Sequence, residues 1–337
     1  MKSGQIQTVL GRIDAKTLGV TDSHDHLFIR GGMPVMHYPD FRLSDFDRIC
    51  AEVEQFQRAG GSAIVEMSPI DWGRDSESMA RLSARTGVQV ISATGFHKLF
   101  YYPDIHWLYS YSEEQLIGLV VAELMDGLDI HNYSGPIVER SSARAGVIKV
   151  GTQTGRFSAA EEKLLRVAAH SHLLTGAPIL THTDEGAMAL EQVRFLTDLG
   201  VPAGSLGLSH VDRRTDLGFQ SELAATGVFL EYDAMPRVTK GLDRSSLQLI
   251  VSMVEKGFAS SILLGSDISR QGYWKSYGGQ PGLDFLITGF RQQLEGAGLS
   301  KSMIDTLYVE NPQRFLSWDD VAQEQMTHGE KEISSLP

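Results

Sequence analysis

Pro178-Ile-Leu-Thr-His182 and Leu206-Gly-Leu-Ser-His-Val211 are two short apolar runs, each carrying a histidine at or near its C-terminal end. The residues between them read as a helix, so the pair makes a strand–helix–strand unit, which implies parallel strands joined by a crossover. Working outward, the same alternation repeats along the chain. Val20–Leu27, Ala63–Met67, Val88–Thr94 and Gly146–Val150 precede the pair, and Val228–Tyr232 and Ile262–Asp267 follow it. That makes eight strands. Helix signals fill the gaps. From Ser44 the apolar positions Phe46, Ile49, Cys50, Val53 and Phe56 keep a 3–4 residue spacing, and Gly60-Gly61 closes the stretch. Ser112 with Gln115, and Ser158 with Glu161, match the capping box. Eight such units predict an α/β chain folded as one (β/α)8 TIM barrel domain over residues 1–337, rather than an open doubly wound sheet. No Gly-x-Gly-x-x-Gly follows the first strand, which weakens the dinucleotide-binding alternative.

The 337 residues include 30 basic and 42 acidic side chains, a formal charge of −12. An acidic balance argues against nucleic acid or an anionic membrane as the main partner. The apolar share of 42% is that of a globular protein rather than a disordered one. A single cysteine, Cys50, excludes an internal disulfide and any Cys-based zinc or iron–sulfur site. Met1–Thr17 lacks the pattern of a secretory signal, and no run approaches 18 apolar residues, so a cytoplasmic location is expected. A homodimer is the default assembly.

One interval is out of step. Residues 95–145 separate the third strand from the fourth and contain an aromatic-rich run from Phe96 to Tyr111. An insertion there leaves the C-terminal rim, as a lid over the site or as an oligomer contact. Residues 319–337 read as a polar, peripheral tail.

His24 and His26 lie near the end of the first strand, His182 ends the fifth, His210 lies near the end of the sixth, and Asp267 ends the eighth. Residues two apart on a strand share a face, so His24 and His26 both point into the barrel mouth. A lone strand-end histidine is usually a satisfied core or rim residue. Four at one end of a barrel, with an aspartate, suit divalent metals, zinc first. Lys149 near the end of the fourth strand is the odd member. Two ions at +2, one carboxylate and neutral histidines leave +3. A lysine carbamate formed with CO2 supplies −1 and two bridging oxygens, and a bridging hydroxide supplies another −1. The other reading is an inward lysine paired with Glu66 or another acid.

At these residues the sequence resembles the phosphotriesterase family of the amidohydrolase superfamily, over almost the whole chain. The matching segments are Thr21-Asp-Ser-His-Asp-His26, Gly146-Val-Ile-Lys-Val-Gly151, Leu180-Thr-His-Thr183, Leu208-Ser-His-Val-Asp212, Gly265-Ser-Asp267 and Tyr273-Trp-Lys-Ser-Tyr-Gly-Gly279. The resemblance implies a binuclear centre, with His24, His26 and Asp267 on the more buried ion and His182 and His210 on the other. N6-carboxylated Lys149 and a hydroxide bridge the two ions, which are zinc, manganese or cobalt. It further implies hydrolysis of an ester, mostly a lactone, by attack of the bridging hydroxide, with Asp267 carrying the proton. The sequence departs from the family pattern at Asp25, where many members have glutamate, at Gln280, and at Asp184 after the His-Thr pair.

The late loops are basic despite the global charge: Arg213 and Arg214, Arg237 and Lys240, Arg270 and Lys275. This pattern, with Gly127-Leu-Asp-Ile-His-Asn-Tyr-Ser-Gly135 and Thr94-Gly-Phe-His-Lys98, resembles the subgroup that opens phosphorylated sugar lactones. That likeness implies phosphate binding by Arg213, Lys240 and Arg270, with Tyr273 donating a hydrogen bond. Two other readings stand beside it. One is a lactonase or esterase for neutral apolar substrates such as acyl-homoserine lactones, or an organophosphate triester hydrolase, using Phe96, Phe100, Tyr101, Tyr102 and Trp107. The other is a binding protein that keeps the metal site without turnover.

Overall fold

The computed structural model describes residues 2–238 and 245–320. An antiparallel hairpin, β1 (Gln5–Thr8) and β2 (Gly11–Asp14), precedes eight parallel strands. These are β3 (Thr21–Asp25), β4 (Ala63–Glu66), β5 (Gln89–Gly95), β6 (Ala145–Gly151), β7 (Ile179–His182), β8 (Leu206–Ser209), β9 (Phe229–Tyr232) and β10 (Ile262–Leu264). Each pairs in parallel with the next in chain order. The seam between β10 and β3 is drawn together by two backbone bonds, in which Ser266 N and Asp267 N donate to His24 O at 3.0 and 2.9 Å. Buried Asp22 reinforces the seam by accepting from Ser266 Oγ at 2.7 Å. This is the eight-stranded α/β barrel that the alternation predicts.

Helices α1 (Gly32–His37), α2 (Phe46–Arg58), α3 (Ser76–Thr86), α4 (Glu113–Met125), α5 (Ala159–Thr175), α6 (Ala189–Asp198) and α7 (Leu217–Ala225) intervene among the first seven barrel strands. They are followed by α8 (Met235–Val238), α9 (Ser245–Glu255), α10 (Gly289–Gly296), α11 (Lys301–Asp305) and α12 (Asn311–Leu316). Asp45 caps α2 by accepting from Arg48 N, and its buried face is Ile49, Cys50, Val53 and Phe56. Both predicted capping boxes are present, on α4 and α5. Among the described residues no helix is long and apolar enough to cross a membrane.

The 95–145 interval includes a barrel helix. Helix α4 is the crossover between β5 and β6 and lies beside α5. What is added is a rim segment ahead of it, with 3-10 turns at Leu99–Tyr101 and Trp107–Tyr109, and a loop behind it bridged at Asp129 and Arg140. Buried Arg74 pairs with Glu123 of α4 and donates to Ala93 O, which fixes the loop after β4 against both. The tail is described only to Asp320; Asp319 N donates to Gly176 O under the barrel.

Side-chain alternation separates two layers. Val65, Ile91, Val147, Leu180, Phe229 and Leu263 fill the barrel interior, closed from below by Ile6 and Phe315. Ile64, Val90, Ile148, Ile179, Leu208, Leu230 and Ile262 face outward in the larger core shared with the helices. Continuing three of these inward series by two residues leads from hydrocarbon to polar groups: Val147 to Lys149, Leu180 to His182 and Phe229 to Glu231. The barrel therefore ends in a polar floor at its C-terminal rim.

Candidate metal centre

Asp267 sits at the middle of that floor. Its Oδ1 is 3.6 Å from His26 Nε2 and 4.0 Å from His24 Nε2, and its Oδ2 is 3.8 Å from His210 Nδ1. The His182 ring lies 4.5 Å from the His210 ring, centroid to centroid. Lys149, fully buried beneath them, donates to Met67 O at 3.1 Å. The six predicted ligand residues thus line one cavity of about 200 Å³. His210 and Asp267 reach it from left-handed backbone, with φ of 66° and 47°. Such strain costs about 1–3 kcal/mol per residue and persists where the surroundings over-determine it. Gly265 is part of that constraint, since a Cβ there would lie 2.2 Å from Glu231 Oε1 and 2.7 Å from His24 Cβ.

A second ring of side chains orients the histidines. Glu231 Oε2 meets His24 Nδ1 at 2.9 Å, Ser68 Oγ meets His26 Nδ1 at 2.9 Å, and Asp233 Oδ2 meets His210 Nδ1 at 2.6 Å. His182 is turned the other way, with Nε2 on Asp184 Oδ1 at 3.1 Å. Lys98 Nζ holds that same oxygen at 2.7 Å. His24 Nε2 and His182 Nδ1 are buried and have no hydrogen-bond partner. Buried polar atoms are normally paired, so two bare imidazole nitrogens beside a carboxylate are what a cation site leaves open.

Electrostatics agree with that fit. Burial, then the positive charge of Lys149, holds His24 and His26 well below the usual imidazole range, so both are neutral and able to ligate. Burial likewise lowers His182 to about 4. It also lowers Lys149 to about 8, against the upward pull of Asp267 and Glu66. Glu66 is raised to about 7, again by burial. The carboxyls Asp25 and Glu231 are pushed well above their usual range by burial and by neighbouring acids. Neutral imidazoles and a carboxylate around one cavity are donor types that divalent cations take.

The predicted substrate residues are placed unequally. Arg270 lines the cavity, with its guanidinium on both oxygens of Asp40 at 2.9 Å and stacked over Tyr38 and Phe41. Tyr273 is part-buried one 3-10 turn away, its N–H donating to Arg270 O. Arg213 lines the same cavity but is already engaged there: its Nη2 lies 2.8 Å from Asp267 Oδ2, 3.2 Å from Asp233 Oδ1 and 3.1 Å from His210 Nδ1. Lys240 and the Arg237 side chain lie outside the described residues. Arg214 stacks on Phe219, and Lys275 pairs with Asp284.

Sequence reasoning missed Asp233, Glu231 and Trp72. Asp233 directly follows β9, the same signal that singled out Asp267 after β10, and was available. Trp72, stacked on His97 and packed on His26, sits in a loop whose path depends on Arg74 and has no local signature.

Comparison with known proteins supports the same grouping. The sequence profile of the Phosphotriesterase family matches residues 4–316. A phospho-furanose lactonase of Mycoplasmopsis synoviae is 37% identical over 95% of this chain and 94% of its own. The crystal structure of an amidohydrolase from Mycoplasma synoviae superposes with a TM-score of 0.91 at 35% identity, covering 99% of each chain. That of a lactonase from Listeria monocytogenes gives a TM-score of 0.85 at 28% identity, over 94% of this chain and 100% of the other. With the barrel, the rim histidines and the match over nearly its whole length, this chain belongs to the phosphotriesterase family.

Proposed function

We propose that the protein is a metal-dependent hydrolase that opens a phosphorylated furanose lactone. The observation that carries the reading is the position of Asp267, one oxygen facing His24 and His26 and the other facing Arg213 and His210. In this reading His24, His26 and Asp267 hold one divalent ion and His182 and His210 the other, zinc in each case. Lys149, as a carbamate, would contribute its oxygens to holding them. When bound, the ions supply Lewis acidity toward a carbonyl oxygen and lower the pKa of water to about 7. Asp267 takes the proton of the attacking water and returns it to the ring oxygen as the acyl C–O bond breaks. Arg213, pinned by Asp233, keeps the Asp267 carboxylate aimed at that path.

Arg270 supports an anionic substrate, because it is the guanidinium that reaches the cavity from the loop after β10. Barrels often bind phosphate in this quarter. Lys240 and Tyr273 complete the phosphate site in this reading, and the names of the relatives point to the same substrate class. The test is hydrolysis by the zinc-loaded protein of lactone pairs with and without a 5-phosphate, followed by acid release. Strong preference for the phosphorylated member is expected. Turnover of neutral lactones alone would keep the hydrolase and remove the phosphate clamp. That outcome is the second reading, favoured by the aromatic wall of Tyr38, Phe41, Trp72 and Tyr101.

A further inference from the structure

We propose that Asp184, tethered by Lys98, is a positioning residue that makes Nδ1 rather than Nε2 the ligand atom of His182. Three of the four rim histidines are held at Nδ1 by Glu231, Ser68 and Asp233. His182 alone is held at Nε2, by Asp184 Oδ1 at 3.1 Å, and its Nδ1 is buried without a partner. A neutral imidazole carries one N–H. A carboxylate accepts only, so the proton sits on Nε2 and the lone pair of Nδ1 faces inward.

The tether has its own logic. Asp184 is two residues beyond His182, in the loop after β7, and is part-exposed. Lys98 comes from the loop after a different strand, β5, and fixes the carboxylate at 2.7 Å. The His97 ring, 4.7 Å from the His182 ring, limits rotation on the other side.

The inference rests on the proposed function only in requiring that divalent metal binds. Apo-protein prepared with a chelator is titrated with Zn2+ against a chromophoric competitor, and with Co2+ by its visible spectrum, for wild type, Asp184→Ala, Asp184→Asn and Lys98→Met. An orienting carboxylate on a ligand histidine is worth about 10–100-fold in metal affinity. Asp184→Ala is expected to weaken one of the two bound ions by that factor, leave the other unchanged, and alter the Co2+ spectrum. Asp184→Asn still accepts from Nε2 and is expected to recover most of the loss, with Lys98→Met in between. Wild-type affinity and spectrum in Asp184→Ala overturn the inference, as does an Asn variant as weak as the Ala variant. If the Ala variant does not fold, the near-isosteric Asn and Met variants decide: a Lys98→Met protein indistinguishable from wild type overturns the tether. Absence of divalent metal binding by the wild type overturns the proposed function itself.

Discussion

Arg213 Nη2 lies 2.8 Å from Asp267 Oδ2 and 3.2 Å from Asp233 Oδ1, a cation wedged between two carboxylates at the barrel mouth. Asp233 is fully buried. Burial alone would raise it, but His210 and Arg213 outweigh that and hold it well below the usual carboxylate range. Removing the guanidinium strands that charge. Breaking a buried pair from one side costs about 3–5 kcal/mol. Arg213→Met is expected to lose about 3 kcal/mol in denaturant unfolding and to lower kcat more than it raises KM. Unchanged stability with a raised KM alone would return Arg213 to the role of a substrate contact.

Asp267→Asn keeps the shape of the side chain and one oxygen but cannot take up the proton that the proposed mechanism assigns to the carboxylate. Positioned acid–base groups contribute about 100- to 10,000-fold. The expected result is a kcat at least about 100-fold lower, with an unaltered far-UV spectrum and two metals still bound. A variant with wild-type turnover would move the proton transfer elsewhere.

Most of the barrel was legible because short apolar runs alternate with longer stretches that carry helix signals, the 3–4 residue apolar period of α2 and the capping boxes of α4 and α5 among them. The hairpin of β1 and β2 was not. Two four-residue strands carry too little pattern, and their pairing depends on Ile6 docking beneath the barrel. At the site, strand-end position and residue type singled out His182 and Asp267, and both line the cavity. Direction was not legible. Arg213 reads as a phosphate contact until Asp233 and Asp267 are placed beside it, and Lys275 reads as one more basic loop residue until Asp284 takes it. Sequence spacing reports which face a residue occupies, whereas charge pairing between distant loops decides where a long side chain ends.

Lys149 supplies a test of the carbamate. If its nitrogen bears CO2, then replacing the side chain should remove a carboxylate that a small acid can restore. Lys149→Ala is expected to lose nearly all activity and metal content, and to regain part of both in millimolar acetate or propionate. Recovery with simple amines and none with acids would instead identify the free ammonium as the working form.

Below the barrel, His172 Nδ1 donates to Ala177 O at 2.8 Å, and the ring is buried near Asp319 and Lys2. Burial holds its pKa below 6.5, so the folded state keeps it neutral while the unfolded chain takes up a proton. The unfolded state therefore binds more protons below pH 6.5, and stability falls as pH drops from there toward the lowered pKa. One such group contributes at most about 1.4 kcal/mol per pH unit. Denaturant unfolding between pH 7 and 5 is expected to show a steeper loss for wild type than for His172→Gln, whose amide can still donate to Ala177 O. Equal slopes would assign the acid sensitivity to the rim histidines, which burial also depresses.

Arg270 separates the two substrate readings. Its guanidinium is already aimed, held on both oxygens of Asp40 and stacked over Tyr38 and Phe41, so binding a phosphate needs little ordering of the side chain. A charge-assisted hydrogen bond is worth about 1.5–3 kcal/mol, or roughly 10- to 150-fold. Arg270→Met keeps the apolar stack and removes the charge. It is expected to lower kcat/KM on a 5-phosphorylated lactone by that factor and to leave the unphosphorylated analogue within about two-fold. A matching fall on both substrates would mean that Arg270 braces the loop through Asp40 rather than reading the phosphate. Asp40→Asn tells these apart, since loosening the brace costs both substrates while leaving the guanidinium free to bind an anion.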